Sequence, residues 1–395
     1  MLLSELFVVI GIVLVLATLP LLVELLVLTS AALLPETRVR YRAAGFELPS
    51  LTVLVPAHNE EALIGRCVRA LRFSADRGTE VVVVAHNCID ATAAEAVEAG
   101  ARVLVLDDPC QRGKGSALSY GFTSILAGPS QAVLVIDADS VVDAGLIAEV
   151  RRRLRTGARA LQCRYEVYNS QGNRRTRLMT LAFYGINTIR PHGRARLGLS
   201  AGILGNGFAL HRDVLTRIPY GAHSVVEDLE YHLALVKADI RVEFIEKVAV
   251  RGEMPVTAKG AQSQRARWEG GRLRMMRRWA PGLISDVLRG RVRQIEPLLD
   301  LLALPIASEV ILLLIAACLP IPWARIYALS AFAVLAFHVT VASLKGPGIW
   351  ETMKALSAAP TYVLWKLWIL PEIWRTSRAS AAWVRTERQS PADGR

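Results

Sequence analysis

Two aspartates one residue apart, in Asp137-Ala138-Asp139-Ser140, follow the apolar run Ala132-Val133-Leu134-Val135-Ile136. An Asp-x-Asp at the C-terminal end of a buried strand sets two carboxylates beside a ligand crevice, and burying that pair is costly unless a cation neutralises it. Carboxylates together with phosphate oxygens are the donors that Mg2+ or Mn2+ prefers, so the pair predicts a divalent metal held with a phosphorylated ligand. Upstream, Arg112-Gly113-Lys114-Gly115-Ser116 opens a helix. Free N–H groups and the Lys114 ammonium suit an anion there, although the spacing is not that of a P-loop. The stretch Gly202–Ala209, with Gly205, Asn206 and Gly207, is a small-residue loop that lets a ligand approach the backbone. Val226-Glu227-Asp228-Leu229-Glu230 opens another helix with acids. A helix dipole favours acids at that place in any protein, and a general base at Asp228 stands beside that ordinary reading.

Two further strand ends carry polar residues. In Val55-Pro56-Ala57-His58-Asn59-Glu60-Glu61, Pro56 is expected to end the strand and Asn59 to cap the next helix, with Glu60 and Glu61 suited to its first turn. A plain strand–helix turn accounts for the same residues. In Ala85-His86-Asn87-Cys88-Ile89-Asp90-Ala91-Thr92 the polar side chains cluster within reach of a base or ribose, while Asp90 equally suits a helix cap. Near the C-terminal third, Gln264-Arg265-Ala266-Arg267-Trp268 leads into Arg272, Arg274, Arg277, Arg278 and Trp279, a run that reads as a membrane-surface helix with snorkelling arginines.

The elements that must position these groups are legible as short β-rich runs at residues 52–55, 80–84, 101–106 and 132–136, alternating with helical stretches such as 60–73 and 92–100. That alternation predicts an α/β domain over residues 50–280 with a mainly parallel sheet, whose ligands bind beyond the C-terminal strand ends. Apolar segments flank it. Leu6–Leu34, interrupted only by Glu24, is long enough to cross about 30 Å of hydrocarbon and lacks the basic start of a signal peptide. It makes residues 1–36 an anchor. Leu298–Pro320 and Ala324–Leu344 each suit a span, and Trp350–Trp374 suits an interfacial or half-inserted segment better than a further span, so residues 281–374 are read as interfacial and transmembrane helices. Arg38, Arg40 and Arg42 follow the first span, and Arg375, Arg378, Arg385 and Arg388 lie in a basic tail over 375–395. The positive-inside rule therefore places the α/β domain and the tail in the cytoplasm, on a multi-pass protein of the inner membrane.

With 52% hydrophobic and 21% charged residues over 395 positions, the chain is neither disordered nor a disulfide-stapled mini-protein. Its five scattered cysteines have no zinc spacing and read as reduced thiols. The net charge of +12 suits nucleic acid, an anionic leaflet or an anionic substrate. The arginine clusters flank apolar segments rather than interleaving with aromatics, which argues against nucleic acid.

The order of these motifs resembles a membrane-integrated family 2 glycosyltransferase with a GT-A, Rossmann-like domain. Pro56 to Glu61 is similar to the first-strand signature of that family, Asp137-Ala138-Asp139 to its DxD, Glu227-Asp228 to its ED element with Val226 in place of Thr, and Gln264, Arg267 and Trp268 to QxxRW. The resemblance implies an inverting transfer from a nucleotide-sugar donor, most often a UDP-sugar, to a lipid-linked or growing glycan acceptor, for cell-surface glycan or exopolysaccharide synthesis. It implies that Asp139 holds Mg2+ or Mn2+ on the diphosphate, that Asp137 sits against the donor, and that Asp228 deprotonates the acceptor hydroxyl. Pro56, Asn59, Glu60, His86, Asp90 and Lys114 would lie on the donor side. Gly205, Asn206, Gly207, Glu227, Gln264, Arg267 and Trp268 would lie on the acceptor and diphosphate side. His86 stands where the family has a uridine-contacting Asp, which leaves the nucleotide base open. Similar motifs occur in chitin-oligosaccharide and hyaluronan synthases and in ceramide glucosyltransferases. Few spans and a short chain favour limited addition over a processive β-polysaccharide synthase with a secretion channel. A non-catalytic nucleotide-binding scaffold would be expected to lack one of the carboxylates at 137, 139 and 228, and all three are present.

Overall fold

A computed structural model describes residues 2–35, 48–170, 173–255 and 257–378. Its first elements are α1 (Leu2–Ala31), β1 (Leu51–Ala57), α2 (Glu61–Ser74), β2 (Thr79–His86), α3 (Thr92–Glu98) and β3 (Arg102–Leu106). Next come α4 (Lys114–Leu126), β4 (Ala132–Val135), β5 (Val141–Val142), α5 (Leu146–Arg155) and β6 (Ala160–Val167). Then α6 (Arg174–Tyr184), a π-helical turn (Gly185–Ile189) and α7 (Arg190–Arg196) precede β7 (Phe208–His211), α8 (Arg212–Arg217), α9 (Glu227–Lys237) and β8 (Val242–Gly252). The remainder is helical: α10 (Ala258–Leu288), α11 (Ile295–Leu302), α12 (Ile306–Cys318), α13 (Pro322–Lys345), α14 (Ile349–Leu356), α15 (Ala359–Trp368) and α16 (Leu370–Thr376).

The chain divides into two compact units. Among the described residues, one holds the sheet and is built from 48–169 and 200–261; the other is helical and takes 2–35, 173–199 and 262–378. The sequence predicts an unbroken α/β domain over 50–280, whereas α6, the π-turn and α7 leave it and join the helices. Arginines of α7 explain that departure, as described below. Arg38, Arg40, Arg42, Arg385 and Arg388, on which the orientation was argued, lie outside the described residues.

In the sheet unit the strand order is β3-β2-β1-β4-β7-β6-β8-β5. β7 is antiparallel to both β4 and β6, and β5 is antiparallel to β8, so these two strands run against the other six and the expected mainly parallel sheet is a mixed one. Alternate residues of β1, β2 and β4 bury on opposite faces. Val53, Val55, Val83 and Leu134 pack with Ile64 and Val68 of α2 and Ile147 of α5, while Leu54, Val82, Val84 and Val135 pack with Leu118 and Phe122 of α4 and Leu235 of α9. A strand covered on both faces reads as a continuous apolar run, which is why these strands were visible in the sequence. Pro56 was expected to end β1 and instead lies within it, opposite Val84 of β2. Pairing of β1 with β4 stops at Leu54, so the missing N–H of Pro56 breaks no ladder on that side.

In the helical unit, Leu3–Ala31 and Pro322–Lys345 are long and apolar enough to cross a membrane. The expected span Leu298–Pro320 falls on α11 and α12, which are bent by 82° at their junction. Residues 349–376 break into α14, α15 and α16, each shorter than a bilayer needs, with Trp350, Trp368 and Trp374 exposed along them. Such helices suit an interface.

Glu24, the one acid in the apolar N-terminal run, is buried against Arg190 and Arg194 of α7. Asp300 of α11 pairs with Arg190 and, at 3.0 Å, with Arg272 of α10, and Glu296 pairs with Arg194. Three carboxylates and three guanidiniums thus compensate one another in apolar surroundings. Stranding a charge by removing one member of a buried pair costs about 3–5 kcal/mol. Glu24→Leu is accordingly expected to lower the thermal midpoint of the detergent-solubilised chain by roughly 10 °C, measured by scanning fluorimetry.

Candidate active site

The site within the sheet unit gathers the C-terminal ends of β1, β2 and β4 with the starts of α4 and α9 and the loop before β7. The turns after β1 and β2 are tied to each other. Asn59, in a left-handed conformation (φ 54), accepts the Ile89 N–H through Oδ1 at 2.8 Å rather than capping α2. The Glu60 N–H donates to Thr92 Oγ1 at 2.7 Å. Asp90 accepts from the Thr92 N–H at 3.0 Å and from the Glu61 N–H at 3.3 Å, so its oxygens serve the starts of α2 and α3. That is the cap reading of Asp90. Its carboxyl lies below the ordinary aspartate value because those hydrogen bonds outweigh burial, which pushes the other way.

His86 ends β2 and is nearly buried. Its Nε2 lies 2.8 Å from the Gln111 carbonyl, so that nitrogen carries the proton and Nδ1 is the acceptor. Burial holds the imidazole below the usual histidine value, which keeps it neutral at pH 7. Asn87 (φ 49) fastens the same loop, donating to the Asp108 carbonyl at 3.0 Å and accepting the Asp108 N–H at 2.7 Å. His86 Nε2 is therefore committed to the loop.

The carboxylate cluster gathers around Lys114, the first residue of α4. Its ammonium bonds the Asp137 carboxylate and the Gly205 carbonyl. Burial lowers the Lys114 pKa, but the charges of Asp137 and Glu227 outweigh it and hold the ammonium above the ordinary lysine value. Gly115 shapes this corner: a Cβ there would fall 2.2 Å from the Ala222 carbonyl oxygen, so only glycine lets α4 begin against that strand of backbone. At Gly205, with φ +80, an added Cβ would sit 3.0 Å from Asp228 Oδ2, which places the α9 carboxylate directly on the Gly205–Gly207 loop. Asp228 is part-buried, and burial pushes its carboxyl above the usual aspartate range; the Leu229 N–H at 2.8 Å and the Lys114 charge oppose that push, and Asp137 adds to it.

Asn206, fully buried, locks the loop to the Asp-x-Asp turn. Its Oδ1 accepts the Asp137 N–H at 3.1 Å and its Nδ2 donates to Ser140 Oγ at 2.8 Å. Asp139 is buried in that turn, and Cys67 lies beneath it with its thiol pushed up to about 12 by burial and by the Asp139 and Asp137 charges. Among the described residues no three His, Cys, Asp or Glu side chains form a metal cage of their own. Two carboxylates at a strand end fit a hard cation whose other ligands come from phosphate and water. Asp137, Asp139, Lys114, Gly205, Asn206, Gly207, Glu227 and Asp228 thus come together; Pro56, Asn59, Glu60, His86 and Asp90 lie at the neighbouring strand ends. Gln264, Arg267 and Trp268 belong to α10 in the helical unit.

The family model described as "Glycosyltransferase like family 2" matches residues 49–271, more than half of the 395-residue chain. The chain belongs to that family. The chain is 27% identical over 237 residues to the probable glycosyltransferase YdaM of Bacillus subtilis, covering 57% of this chain and 56% of that one. It is 36% identical over 109 residues to an uncharacterized glycosyltransferase of Mycobacterium tuberculosis, covering 28% and 45% of the two chains. The chain therefore spans about half the length of the curated relatives it matches. Among solved structures, the mannosyltransferase PcManGT from Pyrobaculum calidifontis, in complex with GDP-Man and Mn2+, aligns over 91% of this chain and 99% of its own with a TM-score of 0.56 and 18% identity, a likeness of fold.

Two parts of the site were not singled out from sequence. Gln162 of β6 is fully buried, donates to the Asn206 carbonyl at 2.8 Å and accepts the Leu204 N–H at 2.9 Å, which fixes the loop carrying Gly205 and Gly207. A glutamine inside the apolar run Ala160-Leu161-Gln162-Cys163 is the overlooked signal for it. Tyr220 stacks between Phe122 and Tyr231, with ring centroids 5.1 and 4.6 Å away, and the Glu227 and Asp228 charges add to burial in pushing its phenol well above the ordinary value.

Proposed function

We propose that the chain is an inverting, divalent-metal-dependent hexosyltransferase that moves a sugar from a nucleotide-sugar to a lipid-linked or growing glycan acceptor at the cytoplasmic face of the inner membrane. The observation that carries this reading is the Lys114 ammonium held between Asp137 and the Gly205 carbonyl, with Asp228 against the same glycine. One cation, two metal-type carboxylates and one carboxyl of raised pKa are the groups that departure of a nucleoside diphosphate and attack by a hydroxyl require. Asp139 would hold Mg2+ or Mn2+, which supplies charge stabilisation on the leaving diphosphate, and Asp137 would sit against the donor. Lys114 adds a fixed positive charge on that side. Asp228 takes the proton from the acceptor hydroxyl as it attacks the anomeric carbon from the face opposite the leaving group, and inversion follows. The nucleotide lies along the ends of β1 and β2, and Gln264, Arg267 and Trp268 serve the acceptor and diphosphate. Two helices apolar enough to span a membrane and the exposed tryptophans of α14–α16 support a membrane-anchored enzyme working on cell-surface glycan or exopolysaccharide.

A panel of UDP-, GDP- and TDP-sugars, assayed for nucleoside diphosphate release with membrane extract as acceptor, tests the reading. One donor class is expected to turn over with Mg2+ or Mn2+, and EDTA is expected to lower its rate at least about 100-fold. Release unchanged by EDTA would remove the metal from the reaction. Mass spectrometry of the product distinguishes one addition from a polymer.

A further inference from the structure

The bend between α11 and α12 leaves residues 303–305 out of helical form. At membrane depth, backbone without helical hydrogen bonds is tolerated only against protein or beside a cavity. Pro305 and Ile306 line a partly open cavity of about 80 Å3 within the helical unit. Its apolar wall also takes Leu178 of α6, Ile186 of the π-turn and Tyr362 of α15. Three charged residues interrupt that wall: Arg265 and Glu269 of α10 and Lys366 of α15.

The Lys366 side chain is only 1% exposed and is paired with Glu269. An ammonium has three N–H donors, and Glu269 is its one acceptor among the described residues, which leaves two donors beside the cavity. Arg265 Nε is likewise buried without a hydrogen-bond partner, while its guanidinium lies 5.4 Å from the Trp268 ring. Two cations against one carboxylate give the cavity one uncompensated positive charge. Buried unpaired donors in an apolar wall call for an anionic acceptor attached to hydrocarbon, since a soluble anion would leave the apolar surface facing water. The same helix α15 exposes Leu364, Leu367 and Trp368, a surface that belongs at a bilayer interface and gives a lipid access.

We propose that this cavity binds one anionic lipid, its head group seated against Lys366 and Arg265 and its chain along Leu178, Ile186 and Tyr362. The site lies in the helical unit and is independent of the donor chemistry. Delipidated full-length protein in a neutral detergent is titrated with dioleoylphosphatidylglycerol, dioleoylphosphatidylcholine or inorganic phosphate, and adducts are counted by native mass spectrometry. One phosphatidylglycerol per chain is expected, with about tenfold weaker retention of phosphatidylcholine and no displacement by phosphate. Lys366→Met is expected to lower phosphatidylglycerol retention about tenfold. Because that variant strands Glu269, Ala182→Phe is made beside it: Ala182 lines the cavity, and the larger side chain fills space there while Lys366, Arg265 and Glu269 all remain in the chain. Ala182→Phe is expected to lose the adduct while keeping the lipid-free thermal midpoint. Equal retention of the two lipids, displacement by phosphate alone, or an adduct that survives Ala182→Phe would each overturn the proposal.

Discussion

Asp228→Asn is expected to lower turnover about 1000-fold while leaving the sheet unit at least as stable as before. Asparagine has the same shape and still accepts the Leu229 N–H, now found 2.8 Å from Asp228 Oδ1, but it cannot take a proton. The stability half of the expectation follows from the raised pKa. Burial lifts the folded carboxyl above its unfolded value, so the folded state binds the proton more tightly, and stability falls as pH rises from the unfolded pKa through the folded one. Ionisation of Asp228 is therefore a net cost to the fold, which the amide removes. Steady-state rates of nucleoside diphosphate release with acceptor present, set beside thermal midpoints at pH 7, read both. A slow variant with an undiminished midpoint fits loss of the base; a variant that is slow because it melts early contradicts it, as does one of full activity. Donor affinity is expected to hold, since the base acts on the acceptor.

The sequence showed the strands that lie side by side in one half of the sheet and the strand end that bears the Asp137–Asp139 pair, because burial on both faces turns β1, β2 and β4 into uninterrupted apolar runs. β5 and β7 have two and four residues, too few to show a period, and they are the two strands that reverse direction. Spacing along the chain also hid the partner of Glu24. As a lone acid in an apolar run it reads as a blemish, yet Arg190, 166 positions away, completes it and draws α7 into the helical unit. The glycines beside Lys114 read as an anion cradle, whereas Gly115 is there for the Ala222 carbonyl. Asp90 illustrates the converse: two chemistries suit an aspartate after a strand, and only its contacts with Thr92 and Glu61 choose the cap.

Removing the cation at the centre of the site has a different signature from removing the base. Lys114→Met leaves Asp137, Glu227 and Asp228 facing one another without the charge that now offsets them. Like charges at short range favour protonation, and Lys114 is one of the influences that lower the Asp228 pKa, so its loss raises that pKa further. A base works only when ionised. The acid limb of the kcat/KM profile is therefore expected to move to higher pH, with the alkaline side unchanged, on top of a loss of about 100-fold at the optimum from the missing charge beside the diphosphate. Lys114→Arg keeps the charge but not the compact reach to both the Asp137 carboxylate and the Gly205 carbonyl. It should return the acid limb towards its original position while recovering only part of the rate. If the limb stays fixed in Lys114→Met, the group titrating on the acid side is not Asp228, whose pKa this lysine lowers.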